Sequence, residues 1–144
     1  MFAPQCRFLI VDDMTAMQLV MKSKLKELGF VNVTLSSSAD ASMALIDKGF
    51  AETNKMPFDV IISDFMMPGM TGIEFVKKLR SDPKYASVPF LLVTAEADGT
   101  SIDAAVKAGI DGFLQKPPNK DQLEQLFRTT AQILSQQGRA PALV

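Results

Sequence analysis

Two adjacent aspartates, Asp12 and Asp13, end the apolar run that begins at Arg7, and a third, Asp64, ends the run "VIIS". Thr94 closes the stretch from Phe90, and Lys116 follows Gly112–Gln115. Taken singly, each has an ordinary use: an aspartate caps a helix, a threonine extends a strand, a lysine carries a solvated charge. Taken jointly they are harder to dismiss, because caps and surface charges have no reason to mark the same end of four apolar runs. Carboxylates brought together repel and raise one another's pKa unless a cation neutralises them. A hard divalent ion that takes oxygen ligands and keeps several waters does so, and magnesium fits such an acidic cleft. Lys116 adds a positive charge that needs no metal. The pocket would suit an anion with oxygens to share, phosphoryl foremost. A carboxylate can attack phosphorus to give an acyl phosphate, while metal and lysine stabilise charge spread over the transition state.

Composition narrows the chemistry further. The chain has 144 residues, 47% hydrophobic and 22% charged, with a net charge of −1, so it reads as one globular domain with no electrostatic signature of a nucleic-acid or membrane-surface binder. Histidine is absent, which removes the Ser-His and Cys-His arrangements and the commonest zinc ligands together. The single cysteine, Cys6, cannot form an internal disulfide and reads as packing or surface. No apolar run reaches the ~18 residues of a membrane span, and the N-terminus lacks the pattern of a signal peptide; the cytoplasm is the expected location.

The acids can meet only if the elements carrying them are parallel. Five runs read as strands: Arg7–Val11, Val31–Leu35, Asp59–Ser63, Phe90–Thr94 and Gly112–Gln115. Most lack strict alternation, as strands buried on both faces do. Between them lie helical periodicities. The first carries Met17, Val20, Met21, Leu25 and Leu28, with Gly29 as its C-terminal cap; the second spans Ser38–Lys48, capped by Ser38 and stopped by Gly49. The third covers Gly72–Ser81. The fourth, Thr100–Ala108, opens on Thr100-x-x-Asp103, and the last, Lys120–Ser135, on Asn119-x-x-Gln122. Strand–helix alternation five times over predicts right-handed crossovers, an α/β fold and a doubly wound five-stranded parallel sheet. In such a sheet the ligand site lies beyond the carboxyl ends of the strands, at a switch point of the strand order.

The segments "FLIVDD", "VIISDFMMPGMTG", "LLVTAEA" and "GFLQKP" resemble, in order and position, the signatures of response-regulator receiver domains, with the (βα)5, flavodoxin-like fold. The likeness runs from about Arg7 through the final helix, and "DDMTAM" with "VTAEA" is most similar to the single-domain chemotaxis branch. It implies a receiver domain over residues 1–136 and a short tail over 137–144. It implies that Asp64 accepts a phosphoryl group, that Asp13, Asp64 and the main-chain carbonyl of Met66 bind Mg2+, and that Asp12 contributes to the metal site. Thr94 would take a phosphoryl oxygen, Lys116 would ion-pair with the phosphoryl group, and Phe113 would occupy an aromatic switch position. As a plain core aromatic on the last strand Phe113 is equally accounted for. Lys116-Pro117 matches the place of a cis peptide in the family, and Met66 and Glu96 match two positions that tune phosphoryl lifetime.

The implied function is a phosphorylation switch in a two-component phosphorelay. A histidine kinase or phosphotransfer protein donates, a target protein docks on the face made by the fourth helix, fifth strand and fifth helix, and the only catalysis is the chain's own phosphorylation and dephosphorylation. Neither DNA binding nor membrane insertion is expected. The chain departs from the pattern in Pro118, where an aromatic is common, and in a longer interval between Asp12 and Asp64. The surplus reads as a surface loop over Lys48–Pro57. The competing reading is a magnesium-dependent aspartyl-phosphate phosphatase acting on small substrates. Haloacid-dehalogenase enzymes need a second aspartate two positions past the nucleophile; here those positions hold Met14 and Met66.

Overall fold

Successive residues of a strand point to opposite faces of a sheet, so a strand covered on both faces must be apolar throughout. The structure, a computed structural model, describes residues 1–95 and 98–139. It runs β1 (Phe8–Val11), α1 (Thr15–Glu27), β2 (Val33–Ser36), α2 (Ala39–Thr53), β3 (Val60–Ser63), α3 (Gly72–Ser81), β4 (Phe90–Thr94), α4 (Gly99–Ala108), β5 (Gly112–Gln115) and α5 (Lys120–Gln136). The strands form one parallel sheet in the order β2-β1-β3-β4-β5, as the alternation of elements predicts. Phe8, Ile10, Val60 and Ile62 face Met21 and Leu25 of α1 and Phe127 and Leu134 of α5. Their neighbours Leu9, Val11 and Ile61 face Met43 and Ile46 of α2 and Phe75 of α3; α4 completes this second layer with Ala105 and Ala108.

The strand order reverses at β1. The chain leaves β1 for β2 on one side and returns with β3 on the other, so the crevice beyond the carboxyl ends of β1 and β3 is the switch point. Register carries the site with it. Val11 pairs with Ser63, and the amide of Asp64 donates to the Val11 carbonyl at 2.9 Å. On the other side of β3, Thr94 of β4 pairs with Gln115, and the amide of Lys116 donates to the Thr94 carbonyl at 2.8 Å.

Several local expectations need correction. Gly49 does not stop the second helix, which continues to Thr53 and turns at left-handed Asn54. Gly49 is there for space: a β-carbon on it would lie 2.6 Å from Cβ of Pro57. Much of the expected surface loop is therefore an extra helical turn, whose Phe50 packs edge-on against Tyr85 at 5.7 Å. The second strand is Val33–Ser36, with Val31 exposed outside it. The fourth helix is capped by Asp98 rather than Thr100; its carboxylate accepts the Ser101 amide at 2.8 Å, and that bond holds the acid below the usual carboxylate range. Along α1 the buried positions are Gln18, Met21 and Leu25, while Val20 is 39% exposed. Pro118 leaves the last helix where it is expected, starting at Lys120 behind an intact Asn119–Gln122 capping box.

The N-terminal segment also joins the core. Phe2 and Ala3 are buried with Cys6, and Phe2 meets Phe8 at 6.1 Å and Phe127 at 5.6 Å. Phe30 closes the cluster at 4.9 Å from Phe8. Burial pushes the Cys6 thiol up to about 11, so this cysteine is an inert packing group. Among the described residues, no helix is long and apolar enough to cross a membrane.

Candidate functional site

Asp12 and Asp64 emerge side by side because the strands they end are neighbours. Both are buried and Asp13 is exposed. Lys116, entering from beyond β5, places Nζ 2.6 Å from Oδ2 of Asp12 and 3.0 Å from Oδ2 of Asp64. The remaining oxygens are held by the main chain: Oδ1 of Asp12 accepts the Met14 amide at 2.9 Å, and Oδ1 of Asp64 accepts the Phe65 amide at 2.7 Å. The Lys116-Pro117 peptide is cis. One carboxylate oxygen from each of Asp12, Asp13 and Asp64 lies within 4.8 Å of the other two. Three hard oxygen donors so disposed fit a small divalent cation.

The electrostatics are those of a charge-crowded cleft. Burial pushes the Asp64 carboxyl above its ordinary value; the hydrogen bond and charge of Lys116 oppose that rise, and the charge of Asp12 adds to it. Burial alone would lower the Lys116 ammonium, but its bonds to Asp12 and Asp64 outweigh this and leave it raised. The lysine is therefore the resident cation of the cleft.

The loop after Asp64 is fixed as tightly as the strand before it. The Gly72 amide donates to the Phe65 carbonyl at 2.8 Å, and a β-carbon on Gly72 would sit 2.4 Å from the Asp64 carbonyl. Only glycine allows α3 to begin that close. Thr71 caps the helix in a reciprocal box with Glu74, so the chain turns away from Asp64 in a defined direction.

Thus Asp12, Asp13, Asp64 and Lys116 meet in one cleft, with Thr94 fully buried at the adjoining strand end. Met66 stands two residues past Asp64 with an exposed side chain. Phe113 is 41% exposed on β5, so its reading as a core aromatic does not hold in this conformation. Glu96 lies outside the described residues. Gln18, which the sequence motifs leave out, has a buried side-chain amide that donates to the Asp12 carbonyl at 2.7 Å and to the Ser36 carbonyl at 3.1 Å. The signal was available: 18, 21 and 25 fall on one helical face, and a polar residue on an apolar stripe needs a partner. A concavity of about 610 Å3, lined by Leu114, Asn119, Gln122 and Leu126 among others, lies against α5 and does not include Asp12, Asp13 or Asp64 in its lining.

This geometry has counterparts. Residues 8–128 match the response regulator receiver domain family. The chain belongs to that family. It is 34% identical over 125 residues to the chemotaxis protein CheY of Pseudomonas aeruginosa, covering 84% of this chain and 95% of that protein. Among solved structures, the chemotaxis protein CheY4 of Vibrio cholerae superposes with a TM-score of 0.75 at 30% identity, over 88% of this chain and 98% of that one. The receiver domain of the histidine kinase CKI1 from Arabidopsis thaliana, solved with Mg2+ and BeF3−, gives 0.74 at 29% identity over 87% and 89%. The chain is thus a CheY-like receiver domain of two-component signalling, a signalling module rather than a conventional enzyme, and its acidic cluster is able to bind a metal.

Proposed function

We propose that this receiver is switched by phosphorylation of Asp64 with Mg2+ and passes the signal on by binding a protein. The observation that carries the reading is the joint approach of three carboxylates and one ammonium at the strand ends. Asp13, Asp64 and the Met66 carbonyl hold the metal, with Asp12 supporting it. When bound, the metal neutralises the acids and the non-bridging phosphoryl oxygens. A carboxylate oxygen of Asp64 attacks phosphorus of a phosphohistidine. The P–N bond breaks, its electron pair stays on the imidazole nitrogen, and an aspartyl phosphate forms. The donor is a histidine kinase or phosphotransfer protein, as membership of the receiver family supports. Lys116 moves its contact from the Asp64 carboxylate to the phosphoryl group while Asp12 retains its second bond.

The modification has an output only if it favours one conformation over another. Thr94, drawn toward the phosphoryl oxygens, vacates the space into which Phe113 turns from its exposed position. That changes the face formed by α4, β5 and α5, where the target docks. Because relatives of this chain are chemotaxis proteins, a motility component is the first target to test. Incubation with acetyl phosphate and Mg2+ tests the proposal. One label per chain, lost in Asp64→Ala, supports it; multiple turnover on sugar phosphates without stable labelling overturns it.

A further inference from the structure

The carboxylates of the cleft are only as well placed as the main chain that bears them. That main chain leaves the sheet at Asp12, where no further strand pairing can hold it. The amide of Asp12 still donates to the Ser36 carbonyl at 3.0 Å, and its own carbonyl takes its bond from a side chain. Gln18 reaches back from α1 to that carbonyl. Its amide nitrogen donates there at 2.7 Å and to the Ser36 carbonyl at 3.1 Å, and the residue is 9% exposed. Its own amide is bonded to the Met14 carbonyl at 3.1 Å, and the Met14 amide binds the Asp12 carboxylate at 2.9 Å. One side chain thereby ties together the end of β1, the end of β2 and the first turn of α1.

We infer that Gln18 is a positioning residue for the metal site: its amide clamps the Asp12 main chain, and so sets the direction in which the carboxylates of Asp12 and Asp13 project. The inference rests on reading the acidic cleft as a magnesium site. It touches neither metal nor phosphoryl group; it acts through Asp12. Partners that orient metal ligands in this way typically change affinity by about 10–100-fold when lost.

The test is magnesium binding measured by calorimetry on the whole chain, beside urea unfolding in chelator. Gln18→Met keeps the length of the side chain and removes both donors. It is expected to weaken Mg2+ binding by about tenfold or more. Tyr85→Phe removes a hydroxyl bonded to Asp47 at 2.7 Å, near the start of β4 at the other end of the sheet. It lowers stability while leaving Mg2+ affinity within about twofold of the parent, a bound well below the effect expected of an orienting partner. Should Gln18→Met fail to fold, Gln18→Ser, which leaves room for water at the two carbonyls, is judged by the same standard. A Gln18 variant that is less stable but binds Mg2+ as the parent does overturns the inference and leaves the phosphorelay reading intact. A parent chain that binds no Mg2+ overturns both.

Discussion

If Lys116 is the resident cation of the cleft, removing its charge must be felt first in the metal-free protein. Lys116→Met preserves an unbranched apolar stem and deletes the ammonium that lies 2.6 Å from Asp12 and 3.0 Å from Asp64. At an effective dielectric of ~20, each of those attractions is worth about 6 kcal/mol before desolvation is set against it. Two carboxylate oxygens within 4.8 Å of each other repel by at least about 3.5 kcal/mol on the same basis. Measured losses on breaking one side of a buried pair run at about 3–5 kcal/mol, and the exposure of Asp13 puts this cleft at the lower end. We therefore expect Lys116→Met to lose about 3 kcal/mol in chelator, roughly a 10 °C fall in Tm for a chain of this size. Mg2+ then takes over the vacated role, so added metal should raise the Tm of the variant more than that of the parent. Thermal unfolding with and without Mg2+ decides the matter. A variant as stable as the parent in chelator, or one that gains no more from Mg2+, would refute the electrostatic reasoning.

Other perturbations probe separate parts of the account. Asp64→Asn should stabilise the metal-free protein at neutral pH, because burial raises the Asp64 pKa above its unfolded value. The sign follows: the group's favourable contribution is fully present below about pH 3.9 and is lost as pH rises through the folded value. The gap between variant and parent in urea unfolding should therefore shrink as pH falls, and a gap that widens contradicts the assignment. Met66→Asn should speed loss of the phosphoryl group several-fold, since an amide two residues past Asp64 can hold an attacking water where an exposed thioether cannot; equal rates of phosphate release retire the idea. Phe2→Ala should cost about 3–5 kcal/mol of stability, because its ring is fully buried against Phe8 and Phe127. A loss below about 1 kcal/mol would mean that the N-terminal segment is not part of the core.

The acidic cleft was legible in the sequence because its members interrupt apolar runs. A buried strand has no internal use for Asp64, so its carboxylate announces a strand end. What was not legible depends on contacts distant in the chain or on residues with two uses. Gly49 matches a helix stop and equally a close approach by Pro57, and only the fold chooses between them. Phe2 and Cys6 flank Pro4 with no period to mark them, yet both are buried. The salt links of Asp111 with Arg80 and Arg139, at 3.0 and 2.9 Å, join residues that no local pattern relates. Phe113 has the same sequence neighbours whether it turns in or out, so its exposure was beyond reach of the sequence.

On the proposed function, acids from separate strands share one ion beside a phosphoryl group on Asp64. A crystal structure of the chain grown with Mg2+ and beryllofluoride tests it most directly. The fluoride adduct is expected on a carboxylate oxygen of Asp64, contacted by Thr94 and Lys116, with the metal on Asp13, Asp64 and the Met66 carbonyl. Adduct density elsewhere, or a metal bound away from Asp13 and Asp64, would contradict it.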